Sequence, residues 1–202
     1  MGFKFDRATI EHAFMEMGGR ALADGKLVEI SVYGGSAITL IFDTRRATKD
    51  VDAVFERDRD WIRRTAKDMA DANGWDPDWL NDGVKGFLTT KADEADWLQL
   101  FRAYPSEEKT GLRVMIPRPE YIFAMKCMAM RIGGVEESQD IEDIRMLVAP
   151  IGLKSAEAAM ELVQVFYPQQ RIPPKTQFGL EEIFSRLFDE RGDPGRDGEG
   201  GP

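Results

Sequence analysis

Residues 32–55 read VYGGSAITLIFDTRRATKDVDAVF, and the order of events along this stretch decides the fold. An apolar run over 28–33 predicts a buried strand, stopped abruptly by Gly34-Gly35-Ser36, with a short helix predicted over 36–42. A basic loop, Arg45-Arg46-Ala47-Thr48-Lys49, then leads into a second strand over 50–55. Glycine lets a backbone come close to a ligand, and a helix N-terminus offers unpaired N–H groups to phosphate oxygens. Asp50 and Asp52 are two apart on the strand, so both carboxylates leave one face. Side by side they repel unless cations neutralise them. Magnesium does this while gripping a triphosphate and polarising the attacked phosphorus. Singly, Gly-Gly is a common tight turn and Asp-x-Asp a common solvated face opposite Val51, Ala53 and Phe55. The succession of the two is the signal. A P-loop would need Gly-Lys-Ser or Gly-Lys-Thr, and a dinucleotide-binding turn G-x-G-x-x-G; the chain has neither.

Composition narrows the chemistry. The 202 residues suit one domain with a modest appendage, long enough to bury a real core. Lys and Arg number 27 against 36 Asp and Glu, and the resulting charge of −9 disfavours broad adhesion to nucleic acid or anionic lipid while leaving room for a local basic groove. A single histidine, His12, and a single cysteine, Cys127, remove most zinc sites and most Ser-His or Cys-His nucleophiles. Carboxylates, lysines, arginines and backbone remain, an inventory suited to magnesium and phosphate. No apolar run is long enough to span a membrane, the opening MGFKFDRATIEH lacks the apolar stretch of a signal peptide, and one cysteine fits a reducing compartment. The expectation is a soluble, cytoplasmic protein with no membrane partner.

Outward from the central stretch, helical periodicity predicts helices over 6–24, capped by Asp6, and 57–72, closed by Asn73-Gly74. A shorter helical piece is expected over 79–87, with further strands over 97–104 and 112–116. After Pro117 nearly everything reads as helix, at about 119–132, 138–148, 155–166 and 179–190. The predicted class is α+β: a mixed-sheet lobe flanked by helices, residues 1–117, then a helical lobe, 118–190. The Gly-, Pro- and Asp-rich segment 191–202 lacks the apolar residues needed to repay ordering and is expected to be a disordered tail.

The Gly-Gly-Ser then Asp-x-Asp arrangement resembles the nucleotidyltransferase fold of the DNA polymerase beta superfamily. More narrowly, the chain resembles small bacterial proteins related to the AbiEii-type and MenT-type toxins of toxin–antitoxin systems. Trp79-Leu80-Asn81-Asp82, the run IFAMKCMAMR and the run ESQDIEDI add to the likeness, which covers about residues 28–148. The resemblance implies nucleoside-triphosphate chemistry. Asp50 and Asp52 would hold Mg2+, and Gly34, Gly35 and Ser36 would bind the triphosphate. It also implies phosphate contacts from Lys126, an arginine role for Arg45 or Arg46, a further arginine at Arg131, and an aspartate pair at Asp140 and Asp143. The acceptors implied are a tRNA 3′ end or a protein hydroxyl, and the partner implied is a cognate antitoxin. Many members of the superfamily carry a third metal-binding carboxylate on a later strand. Neither 97–104 nor 112–116 contains an acid, although Glu94, Asp96 and Glu120 flank them.

The residues bear their own reading beside this one. The helix at 119–132 is apolar on nearly every side, so the Lys126 ammonium must find an acid, a phosphate or a route to water. Asp140 and Asp143 share a helical face with Leu147, and a structural ion pair to Lys126 or Arg131 is the plain alternative to ligand binding. The functional expectation is a toxin-like, magnesium-dependent nucleotidyltransferase. Its rivals are a catalytically silent module that binds a nucleotide or a partner, and a small-molecule enzyme of the aminoglycoside-modifying type.

Overall fold

The computed structural model describes residues 3–42, 47–90, 93–131 and 135–191. The fold is α+β, as the sequence predicts, with seven helices and one five-stranded mixed sheet among the described residues. Helix α1 (Arg7–Ala23) opens the chain; Asp6 caps it by accepting from the Thr9 amide at 2.8 Å. Strand β1 (Val28–Val32) runs straight into α2 (Gly34–Ile41), and β2 (Val51–Phe55) returns antiparallel to β1. Next come α3 (Arg59–Asn73), a two-residue strand β3 (Leu80–Asn81), β4 (Leu98–Pro105) and β5 (Thr110–Pro117). The strand order is β3-β2-β1-β5-β4, with β5 parallel to β1 and β3 parallel to β2.

One face of the sheet carries Val28, Ile30, Val32, Val51, Ala53, Leu112 and Val114, all fully buried. The buried stripe of α1 lies on this core through two close approaches of backbone. A Cβ on Gly18 would stand 2.6 Å from the Tyr104 carbonyl oxygen, and one on Gly111 only 2.1 Å from that of Gly18. The other face carries Asp52 and Val54, and so faces the cleft described below.

Helices α4 (Pro119–Ala129), α5 (Val135–Ile151), α6 (Ala156–Phe166) and α7 (Pro174–Arg191) complete the chain. Helix α4 is the hub. It buries Tyr121, Ile122, Phe123, Ala124, Met125 and Cys127 and touches α2 as well as α5, α6 and α7. The apolar cluster therefore runs unbroken from the sheet into the last helix.

Three expectations shift. The piece over 79–87 is not one helix, but the strand β3 followed by a 3-10 turn, Gly83–Phe87. Trp79 explains the change. Its indole donates to the Ala66 carbonyl at 2.9 Å, its ring stacks on Phe5, and its carbonyl accepts from the Val51 amide, so the chain is drawn out beside β2. Helix α7 starts at Pro174, five residues early, because proline suits a first helical position and Gly179 continues the helix instead of opening it. Helix α2 starts at Gly34, two residues before the expected onset. The loop with Arg45 and Arg46, the Gly133-Gly134 connection and the tail from 192 onward lie outside the described residues. No helix among the described residues is long and apolar enough to cross a membrane.

Candidate functional site

The turn from β1 into α2 decides the site. Tyr33 is extended, Gly34 takes a positive φ of 59°, and the first turn of α2 begins there. A side chain at 34 would be strained by that φ, and it would also have its Cβ 2.9 Å from Oδ2 of Asp52. The Asp52 carboxylate thus rests on the bare backbone of the glycine turn. The strand pairing holds it there: Ala53 pairs with Val32, and the Tyr33 amide donates to the Asp52 carbonyl at 2.9 Å.

Asp52 has a second neighbour across the sheet. It is in register with Asn81 of β3, whose side-chain amide donates to Oδ2 of Asp50 at 3.3 Å. Asn81 also hydrogen-bonds Asp52, and its Oδ1 accepts from the Gly83 amide at 2.9 Å. One amide side chain therefore steadies both carboxylates and starts the 3-10 turn. Burial foremost, then the charge of Asp50, push the Asp52 carboxyl up to about 6. Lys126, the hydrogen bond from Asn81, and Arg131 pull the other way and do not win.

A cleft of about 280 Å³ opens over Asp52. Gly34, Gly35 and Asp52 line one side, Lys126, Arg131 and Asp140 another, with apolar surface from Val84, Phe87 and Met125. Pockets for small organic ligands begin at roughly this size. The 3-10 turn that contributes Val84 and Phe87 is tied to the helices. The Tyr167 hydroxyl donates to the Phe87 carbonyl, the Thr89 amide donates to the Tyr121 hydroxyl at 2.8 Å, and the Thr89 hydroxyl donates to the Phe166 carbonyl at 2.6 Å. Arg171 adds a bond to the Gly86 carbonyl at 3.2 Å.

Lys126 reaches the cleft from α4. Its ammonium lies 3.2 Å from Oδ1 of Asp140 and 2.7 Å from Oδ2 of Asp143. All three side chains are nearly buried, so the ion pair expected as the plain alternative is present. It leaves something over, because Oδ2 of Asp140 is buried without a hydrogen-bond partner. Breaking one member of such a cluster strands the others in a poor solvent for charge.

The structure thus gathers Gly34, Gly35, Asp52, Lys126, Arg131 and Asp140 around one cleft, with Asp50 joined through Asn81. Ser36 is turned away: it is buried, and its hydroxyl donates to the Tyr33 carbonyl at 2.8 Å. Only its backbone N–H, in the first turn of α2, is left for a ligand. Asp143 is likewise spent on Lys126. Asn81, which the sequence marks only within the run Trp79-Leu80-Asn81-Asp82, is the link between the carboxylates, while Val84 and Phe87 carried no sequence signal. Asp82 pairs with Arg63 at 3.0 Å and with Lys85, away from the cleft lining. Trp75 and Trp79 pack with Phe5 in the core, and His12 is exposed on α1.

Among the described residues, no third carboxylate is grouped with Asp50 and Asp52. On their side of the sheet β5 offers Met115, in register with Ser31, and among the described residues no group of three His, Cys, Asp or Glu side chains could hold a metal. A pair of repelling carboxylates, one of them desolvated, still suits a magnesium ion that keeps waters and takes its remaining ligands from substrate phosphates. Comparison of the chain with protein families, with characterised proteins and with solved structures finds no match.

Proposed function

We propose that this chain is a magnesium-dependent nucleotidyltransferase of the toxin-like kind, built on a nucleotidyltransferase-type sheet lobe. It would transfer a nucleotide from a nucleoside triphosphate to a hydroxyl of RNA or protein. The observation that carries the reading is the Asp52 carboxylate seated against the positive-φ turn at Gly34, in one cleft with the Lys126 ammonium. The backbone N–H groups of Gly34, Gly35 and Ser36 are free of partners within the helix and suit phosphate oxygens. Lys126 and Arg131 supply positive charge for the triphosphate. Asp50 and Asp52 would hold Mg2+, which supplies charge neutralisation at the attacked phosphorus. The acceptor oxygen bonds to the α-phosphorus, the bond from that phosphorus to the bridging oxygen breaks, pyrophosphate departs, and the hydroxyl proton passes to solvent.

The test is incubation of the purified protein with labelled nucleotides, magnesium and total RNA or cell extract. Label transfer that disappears with Asp52→Ala and Asp50→Ala is expected. Transfer that survives Asp52→Ala sinks the mechanism. Met115 at the register position next to Ser31, where an acid would complete a three-carboxylate site, favours a second reading: a nucleotide-binding module without turnover. Magnesium-dependent nucleotide binding by calorimetry, with no transfer to any acceptor, would select it.

A further inference from the structure

Phe87 stands apart from the rings that build the core. Phe5, Phe14, Phe123 and Phe166 are fully buried, whereas Phe87 is 41% exposed and lines the cleft over Asp52. Among the described residues no other ring packs on it. A lone apolar side chain on an open surface needs no explanation. This one completes a concave apolar wall with Val84 and Met125, in the same cleft as Lys126, Arg131 and Asp140. An apolar wall set beside a few polar groups is the usual make-up of a small-ligand pocket.

The backbone beneath the ring is fixed at both ends. Asn81, in register with Asp52, accepts from the Gly83 amide through Oδ1 at 2.9 Å and so starts the 3-10 turn. At the far end the Tyr167 hydroxyl donates to the Phe87 carbonyl, and the Arg171 guanidinium to that of Gly86 at 3.2 Å. The side chain that steadies Asp50 and Asp52 therefore also sets where the turn carrying Phe87 begins. A ligand that fits brings an anionic end to the glycine turn and Lys126, and a planar apolar end to Phe87. Inorganic polyphosphate has the first without the second. A sugar phosphate has no flat face to lay on a ring. A nucleotide has both, and every base presents a π-face that an aromatic side chain can stack.

We infer that Phe87 is the stacking platform for the base of the incoming nucleoside triphosphate, with Val84 and Met125 flanking it. Stacking is indifferent to the hydrogen-bonding edge of the base, so Phe87 selects for a ring and not for one particular base. Only the seat of the triphosphate rests on the nucleotidyltransferase reading; the ring holds a base whether or not transfer follows.

The test is calorimetric titration of the full chain, with magnesium, by the α,β-methylene analogues of ATP and UTP, which cannot be split at the bond the reaction breaks. Ribose 5-triphosphate and tripolyphosphate serve as base-free probes, and an RNA oligonucleotide is titrated in parallel. Phe87→Ala and Phe87→Leu are expected to weaken both nucleotides at least about fivefold, by similar factors, and to leave the base-free probes unchanged. Phe87→Tyr binds like wild type, and Phe87→Trp adds fluorescence that nucleotide quenches. Phe178→Ala removes a ring that is 68% exposed outside this cleft and changes nothing. In the transfer assay Phe87→Ala raises KM and leaves kcat nearly unchanged, because stacking serves ground and transition states alike. Absence of nucleotide binding, tripolyphosphate that binds as tightly as nucleotide, or Phe87→Ala with wild-type affinity would each overturn the assignment. So would a loss confined to the RNA titration, which would give the ring to the acceptor. Phe87-dependent nucleotide binding with no transfer would remove the enzymatic reading and leave the platform standing. Transfer that ignores every Phe87 variant would do the reverse.

Discussion

At the scale of the residue, the most informative atom is Oδ2 of Asp52, packed against a position that only glycine fills without strain. Gly34→Ala has to adopt φ near 59° and push the carboxylate aside at once. The left-handed conformation costs an alanine about 1–2 kcal/mol, so the fold survives. Transfer activity is expected to fall at least about tenfold while circular dichroism is unchanged. The carboxylate itself works against the fold. Its pKa is raised from 3.8 to about 6, so between these values the folded state holds a proton that the unfolded state has lost. Stability contributed at this site therefore declines as pH climbs through that window, and the loss is complete above it. Asp52→Asn removes the buried charge. In chelator at pH 7.5 it is expected to be more stable than wild type by on the order of 1–2 kcal/mol, several degrees in Tm, and no different at pH 3.8. A variant less stable at pH 7.5 would contradict the origin assigned to the shift.

At the scale of the element, Gly19 on α1 and Gly111 on β5 behave oppositely. Gly19 is exposed on α1 with nothing within 4 Å of a would-be Cβ, so Gly19→Ala is expected to raise stability by about 0.5–1 kcal/mol. Gly111 meets the Gly18 carbonyl oxygen at 2.1 Å, so Gly111→Ala forces α1 off the sheet and is expected to lose more than about 2 kcal/mol. Urea denaturation of the pair checks both signs. The elements themselves were largely legible. The periodicity of 6–24 and 57–72, with Asp6 and Gly74 at their ends, predicts α1 and α3 nearly to the residue, because local caps and burial agree there. Strand β3 was not legible. Two residues have no period, and its place depends on Trp79 being anchored to α3, a contact thirteen positions away in sequence. The same gap explains the site. Gly34, Asp52 and Lys126 stand out by residue type and order, whereas the link through Asn81 and the cleft walls from Val84 and Phe87 depend on that unseen pairing.

For the molecule as a whole, Lys126 and Asp140, from α4 and α5, and Asp52 beside Gly34 line one cleft. A ligand that bridges them stabilises both together. Magnesium with a nucleoside triphosphate at about a hundred times its Kd is expected to add about 2.7 kcal/mol, or roughly 5–10 °C in Tm. The shift should vanish with chelator and with the Asp50→Ala, Asp52→Ala double variant. A shift that persists in both would place the nucleotide elsewhere. The hydrogen bonds that Thr89, Tyr167 and Arg171 donate have a further effect, because they stitch the rim at 83–90 to α4, α6 and the turn beyond it. One wall grows out of the sheet and the other is sewn to the helices, so the opening is a fixed aperture rather than a jaw. On the proposed function, guests would be sorted by whether they pass, little order would remain to be imposed on arrival, and an oversized base analogue would be turned away at the threshold instead of being accommodated.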